Sequence, residues 1–390
     1  MLERLTGQVQ PYAWGSRTVL PDFLQVEPDG EPQAELWLGS HAVAPSRVLG
    51  RPLGDLVTAQ PHAVLGAGTV ARFGPRLPYL MKVLAPAQPL SLQVHPSREQ
   101  AIAGFAREES LGVPRDAPHR MYRDDWPKPE LFCALEPTDA LCGFRPAAET
   151  YRLFERLGVP SLLTLVEPLT EGTPGQLKVV FERLLRLGDA APALVRDVVS
   201  AASSVDPADP ALAGLALTAR ELAALYPRDP GVLAALLMNR VSLAPGEGLF
   251  LPAGNAHAYL RGHGVEIMAN SDNVVRVGLT PKYVNVDELL SLLDFSPGLQ
   301  SLITPVEESP GVWVYPTPAA EFALWRLEVR EGRAVRLPAQ GSGRIALVSS
   351  GTVTVGRLDL RRGQSAFVSA DESEVEVGGN GTVFVGGPGR

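Results

Sequence analysis

Leu90-Ser-Leu-Gln-Val-His95 alternates apolar and polar residues at successive positions, the period-2 signature of a β-strand. Gln93 and His95 stand at i and i+2, so an amide and an imidazole leave the same face of that strand.

Outward from it, residues 1 to about 148 read as strands and turns, with short β-branched or aromatic runs punctuated by Gly and Pro, as in Glu35-Leu-Trp-Leu-Gly-Ser-His41. A loop rich in Pro and charge, Arg115 to Pro129, interrupts them. From 149 to 238 the period changes: Val180, Leu184 and Leu187 recur at helical spacing, as do Leu233, Leu236 and Leu237. Thr218-Ala-Arg-Glu221 has capping-box spacing, and breaks at Asp206 to Pro210 and Pro227 to Gly231 separate individual helices. The β pattern resumes at Val241 and again from about Pro305, with runs at Ile345 to Val348, Thr352 to Val355 and Thr382 to Val385. Gly363-Gln-Ser-Ala-Phe-Val368 echoes Gly246-Glu-Gly-Leu-Phe-Leu251, a weak internal repeat compatible with two related β-barrels. No histidine follows His263, so metal chemistry is expected in the first barrel.

At 390 residues, 45% hydrophobic and 20% charged, the chain is long enough for two or three ordinary globular units. A net charge of -8 argues against nucleic-acid or polybasic membrane partners. The first residues lack the basic start and apolar run of a signal peptide, and no apolar stretch approaches the roughly 20 residues that span a bilayer. Cys133 and Cys142 read as buried free thiols in a reducing compartment. A cytoplasmic protein is expected. Only four lysines occur, at 82, 128, 178 and 282; a compact point charge with a movable pKa does what a guanidinium cannot.

Two imidazoles (His95, His257), one carboxylate (Glu130) and one amide (Gln93) would make a mixed N/O site that Zn²⁺ tolerates. Each piece alone usually has a duller explanation, a satisfied polar pair or a solvated carboxylate. Together with their surroundings they spell more. Ala34-Glu-Leu-Trp-Leu-Gly-Ser-His41, Gln88-Pro-Leu-Ser-Leu-Gln-Val-His-Pro96, Lys128-Pro-Glu130, Asn255-Ala-His-Ala-Tyr-Leu260 and Glu266-Ile-Met-Ala-Asn-Ser-Asp-Asn-Val-Val-Arg-Val-Gly-Leu-Thr-Pro-Lys282 resemble the type I phosphomannose isomerases. Order and spacing match over residues 1 to about 150 and 226 to about 290; the remainder fits in layout only.

The resemblance implies a mainly β fold with a helical insertion: two cupin-type jelly-roll barrels plus an α-helical domain. The expected division is a catalytic barrel (1–148 and 239–300), a helical insert (149–238) and a metal-free C-terminal barrel (301–390). It implies one Zn²⁺ per chain on Gln93, His95, Glu130 and His257. Arg276 is implied beside the metal, and Lys82, Lys128, Asp272, Lys282 and Ser91 along the cleft. Moving a carbonyl between C1 and C2 of a sugar passes through a cis-enediolate, so the expected reaction interconverts mannose 6-phosphate and fructose 6-phosphate. A divalent cation with one carboxylate ligand, aided by Arg276, suits the developing negative oxygens. Lys128, two residues from Glu130, is the expected proton carrier, and Lys282 and Ser91 are the expected phosphate contacts, with Lys82 a further cleft cation. His41 and Glu35 are expected to act as core or supporting residues. Trp14 and Trp37 are expected in the core, and His62, His119 and His263 on surfaces or loops.

One departure stands out: relatives commonly carry Asn-His before Lys-Pro-Glu, where this chain has Trp126-Pro127. Slower opening of the sugar ring is the expected consequence. Two rival readings are a non-catalytic sugar-phosphate-binding or regulatory cupin and another cupin metalloenzyme, such as a non-haem iron oxygenase. The second wants two histidines and a carboxylate on one face, where this chain opens with Gln-x-His. A structural Arg276–Asp272 ion pair is the duller alternative for those two residues. A monomer acting on a small sugar phosphate, without nucleic-acid or membrane partners, completes the expectation.

Overall fold

The computed structural model describes residues 1–298 and 302–390; the expected boundary at 300/301 lies outside the described residues. Three antiparallel sheets carry the chain, with helices between and around them. A seven-stranded sheet contains Glu35–Leu38, Tyr79–Leu84, Glu130–Ala134, Gly248–Leu251 and Gly264–Ala269. A five-stranded sheet runs in the order Met238–Leu243, Thr138–Phe144, His257–Arg261, Leu92–Val94, Val275–Gly278. An eleven-stranded sheet gathers the C-terminal strands together with Leu2–Thr6, Arg47–Val48 and Arg51–Pro52 from the other end of the chain.

The period of two decides what each face meets. In the seven-stranded sheet, Leu36, Met81, Val83, Leu131, Cys133, Val265 and Ile267 share a core with Phe322, Leu324, Ile345, Leu347 and Phe384 of the C-terminal segment. Their sequence neighbours, including Leu84 and Phe132, turn the other way and meet Ala140, Cys142 and Tyr259 of the five-stranded sheet. That sheet's outer positions, Leu92, Val94, Leu141, Val275 and Val277, pack under the helices of residues 147–235. Both faces of both sheets are therefore covered. The positions between the sheets are the ones available for chemistry.

Several local expectations need correction. Residues 1–148 are not all strand and turn: helices occur at Val19–Leu24, Leu53–Ala59, Pro61–Leu65, Ala67–Phe73 and Arg98–Ser110. The last has a true capping box, Ser97 with Gln100, and buries Ala101, Gly104 and Glu108 instead of a leucine stripe. Thr218 caps nothing; it lies inside the helix Pro210–Leu225, whose N-cap is Asp209, and its hydroxyl donates back to Gly214 O. Leu187 falls beyond the helix Pro174–Leu185. The expected runs at 345–348 and 352–355 join in one strand, Arg344–Val355. The helix breaks at 206–210 and 227–231 stand where expected.

The echoed hexapeptides are equivalent in form. Gly246 (φ +90°) and Gly363 (φ +82°) take the left-handed turn that precedes the strands Gly248–Leu251 and Ser365–Val368. Cys133 and Cys142 are free and buried, and burial pushes each thiol up to about 12.

Candidate active site

Between the two N-terminal sheets, strand register lines up the side chains the sequence singled out. Gln93 lies opposite His257 on one side and Arg276 on the other. All three occupy inner positions, since their neighbours Leu92, Val94, Ala258, Val275 and Val277 belong to the outer core. Glu130 comes from the facing sheet, with the parity of Phe132. His95 Nε2 lies 3.2 Å from Glu130 Oε1 and His257 Nε2 lies 3.3 Å from Glu130 Oε2. Gln93 Nε2 is 3.4 Å from His257 Nε2.

Each imidazole is oriented from behind. His95 Nδ1 is 2.8 Å from Asn273 O, and His257 Nδ1 is 3.0 Å from Asn255 O. A carbonyl accepts only from N–H, so both rings carry a proton on Nδ1 and turn Nε2 toward Glu130. His95 Nε2 and Glu130 Oε2 are buried without a hydrogen-bond partner, a costly state for polar atoms. Burial and the Lys128 charge lower His95 to about 4. Burial alone would raise Glu130, but the adjacent Lys128 and the histidines outweigh it and hold the carboxyl well below its usual range. A neutral His95 beside an ionised Glu130 is the combination a metal ion requires. Among the described residues, His95, Glu130 and His257 are the group whose ligand atoms lie close enough to hold one.

A second ring of charges surrounds this centre. Lys128 Nζ is 3.1 Å from Glu130 Oε1. Lys82 Nζ sits 3.3 Å from Glu266 and 3.7 Å from Glu35, 5.2 Å over the Trp37 ring. Its proton is held tightly, because these carboxylates overcome the effect of burial. Burial and the Glu130 charge raise Glu266 to about 7, against the pull of Lys82. Tyr259 donates its hydroxyl to Glu266 at 3.3 Å, and Trp37 donates its indole N–H to Glu35. His41 Nε2 contacts Asp272 Oδ1 at 3.1 Å, which helps hold Asp272 below its usual value although burial opposes it. Asp272 thus pairs with His41 and not with Arg276, so the expected alternative of a structural Arg276–Asp272 pair does not stand.

These groups open onto a cleft of about 600 Å³. Ser91, Lys82, Lys128, Asp272, Arg276 and Lys282 line it, as do Gln93 and Glu130. His95 and His257 are buried behind its wall, 1% exposed each. Sequence reasoning gave no duty to Glu266, Tyr259 or Arg123, which also line it, together with Glu35 and His41, the two expected as supporting residues (Trp14 does too, half-buried). A signal for one of them existed: Glu266, like Lys82, is the lone charge inside a six-residue apolar strand, and the two lie opposite one another in register. His62 and His119 are exposed, and His263 meets Glu136 at 2.7 Å. Trp126 and Pro127 are buried and do not line the cleft. The Trp126 indole turns to Phe73, Arg76 and Arg98 instead.

The family model of the type I phosphomannose isomerase catalytic domain matches residues 2–147. Mannose-6-phosphate isomerase of Escherichia coli K12 is 36% identical, covering 97% of this chain and 98% of that protein. The Homo sapiens enzyme of the same name is 30% identical over 95% and 93%. A zinc-bound holo structure of mannose 6-phosphate isomerase superposes with a TM-score of 0.91 at 35% identity, covering both chains fully. A single-substitution variant of Salmonella typhimurium phosphomannose isomerase gives 0.92 at 34%, over 99% of each chain.

Proposed function

The chain belongs to the mannose-6-phosphate isomerase family, and from that premise we propose a reading of its cleft. The protein is an aldose–ketose isomerase that interconverts mannose 6-phosphate and fructose 6-phosphate, with Zn²⁺ as its cofactor. Gln93, His95, Glu130 and His257 would hold the ion, one per chain. The fit rests on the unpartnered His95 Nε2 and Glu130 Oε2 and on two imidazoles that turn Nε2 toward Glu130. When bound there, zinc supplies Lewis-acid polarisation of the sugar's C1 and C2 oxygens.

The chain's own groups do the rest. Arg276, charged throughout, faces the same oxygens and stabilises negative charge as the cis-enediolate develops. Lys128, already hydrogen-bonding distance from Glu130, moves the proton between the two carbons. Asp272, tied to His41, serves as the partner acid–base group at the sugar hydroxyls. Ser91 and Lys282 bind the phosphate. Lys82, neutralised by Glu35 and Glu266, offers the sugar a hydrogen-bond donor without a free charge.

We group the strands around this centre (1–148 with 239–300) as a cupin-type jelly roll, the helices of 149–238 as an insert on its outer sheet, and 301–390 as a second, metal-free barrel. A cytoplasmic monomer is consistent with the absence of any membrane-length apolar helix among the described residues. The observation that carries the proposal is the convergence of His95 and His257 on Glu130, which itself lines the cleft. A coupled assay of mannose 6-phosphate conversion tests it: metal-stripped protein should be inactive and regain turnover with zinc. Folded, zinc-loaded protein without turnover would sink it.

A further inference from the structure

The cleft divides by charge. Inside it, every lysine has a carboxylate: Lys82 meets Glu35 and Glu266, and Lys128 meets Glu130. At the Lys282 end the pattern stops. Arg276, Lys282 and Arg123 all line the cleft, and among the described residues none of the three makes an ion pair. They also feel one another: burial and the Arg123 charge disfavour the charged state of Arg276, and burial, Arg276 and Arg123 do the same to Lys282. The contrast within the loop of residues 111–129 is sharp. Arg115 pairs with Glu109, and Arg120 with Glu108 and Glu109; Arg123 lines the cleft without such a carboxylate among the described residues. Asp272 feels that charge too, but its Oδ1 is held by His41. Elsewhere, a hollow of about 630 Å³ near Arg326 and Arg362 has both cations matched, to Glu328 and Asp22.

The position of Arg123 is built. Its backbone N–H donates to Asn273 Oδ1 at 2.8 Å. The Asn273 amide donates in turn to Asp124 O and Trp126 O, both at 2.8 Å. Asn273 is fully buried, and its own carbonyl orients His95. Arg276 follows Asn273 by three residues, at most about 10 Å of extended chain, so the loop that carries Arg123 and the strand that carries Arg276 are tied to one short segment. On its far side the loop is pinned by Trp126 between Arg76 and Arg98.

We infer that Arg123 is a second phosphate-binding cation beside Lys282, held over the cleft by a loop whose main chain is fastened to Asn273. The inference rests on the reading of the cleft as a sugar-phosphate site. A phosphate monoester carries close to two negative charges at pH 7, and two uncompensated cations, the Lys282 ammonium and the forked Arg123 guanidinium, match it.

The test uses zinc-loaded full-length protein and the variants Arg123→Ala, Arg123→Gln and Arg123→Lys. Arg123 is exposed, so no core packing is lost, and zinc content is measured for each. Inorganic phosphate is titrated calorimetrically, and the KM and kcat for mannose 6-phosphate are recorded alongside. Ala and Gln should weaken phosphate binding about tenfold and raise KM by the same factor, with kcat within about twofold and Lys recovering part of the loss. Unchanged phosphate affinity in Ala and Gln overturns the inference. So does a fall in kcat or zinc content at unchanged affinity, which would make the loop a support for His95. A wild type that binds phosphate but turns nothing over strikes the isomerase reading and leaves Arg123 to be judged by the calorimetry.

Discussion

The two β-rich parts of this chain repeat one turn-and-strand element and fill their interiors in opposite ways. Around the strand Arg344–Val355 the interior is aliphatic with one tryptophan: Trp325, Leu327, Val348, Val353, Leu360, Val377 and Val385 form a single cluster. Between the N-terminal sheets only half the space is of that kind, around Leu84, Phe132, Leu249 and Leu251. The other half holds Gln93, His95, Glu130, His257, Lys82 and Glu266. Every charge there is paired because an unpaired charge at such depth would be prohibitive. The residues that fill the two interiors therefore suit one part to stability and the other to chemistry.

Substitutions can sharpen that contrast. Glu130→Ala should abolish zinc retention, measured by elemental analysis, and lower turnover by on the order of 10³-fold or more; retained zinc and turnover would place the metal elsewhere. Trp325→Ala, in the aliphatic interior, should leave zinc content intact and cost about 3–5 kcal/mol in denaturant unfolding. Loss of activity at full zinc occupancy in the folded variant would couple the two interiors in a way their packing does not suggest. The smallest effect concerns Glu266. Its folded value, about 7, lies above the ordinary 4.5, so between those pH values the folded state holds a proton that the unfolded state has lost. That contribution to stability is present below about 4.5 and is lost as pH rises through about 7. Glu266→Gln should therefore gain thermal stability relative to the parent as pH climbs from 5 to 8; a difference in Tm that does not change with pH would contradict the assignment.

Much of the site was legible because its parts sit on strands. Gln93 and His95, two residues apart, need only the pleat to share a face, and Lys128-Pro-Glu130 leads directly into the strand Glu130–Ala134. What escaped was set by neighbours distant in sequence. His41 gains its duty only from Asp272, and Arg123 only from Asn273, whose side chain reaches a loop 150 residues away. Helices of five to seven residues, such as Pro61–Leu65, are too short to display a period. Arg98–Ser110 is long enough but buries alanine and glycine against Tyr122, toward whose ring a Cβ on Gly104 would come within 2.5 Å, so its packing face carries no apolar stripe. Thr218 misled for the converse reason: capping-box spacing recurs by chance inside helices whose true cap is Asp209.

The strand Leu2–Thr6 hydrogen-bonds to Ser365–Val368, and the Ser365 hydroxyl closes on Leu5 O across a separation of 360 residues. During synthesis at about 5–20 residues per second, the first strand therefore waits roughly 20–70 s for its partner. Until Ser365–Val368 emerges, one side of that strand meets only Arg47–Val48 and the other is a loose edge, so the pairing that fastens the two ends of the fold together comes late.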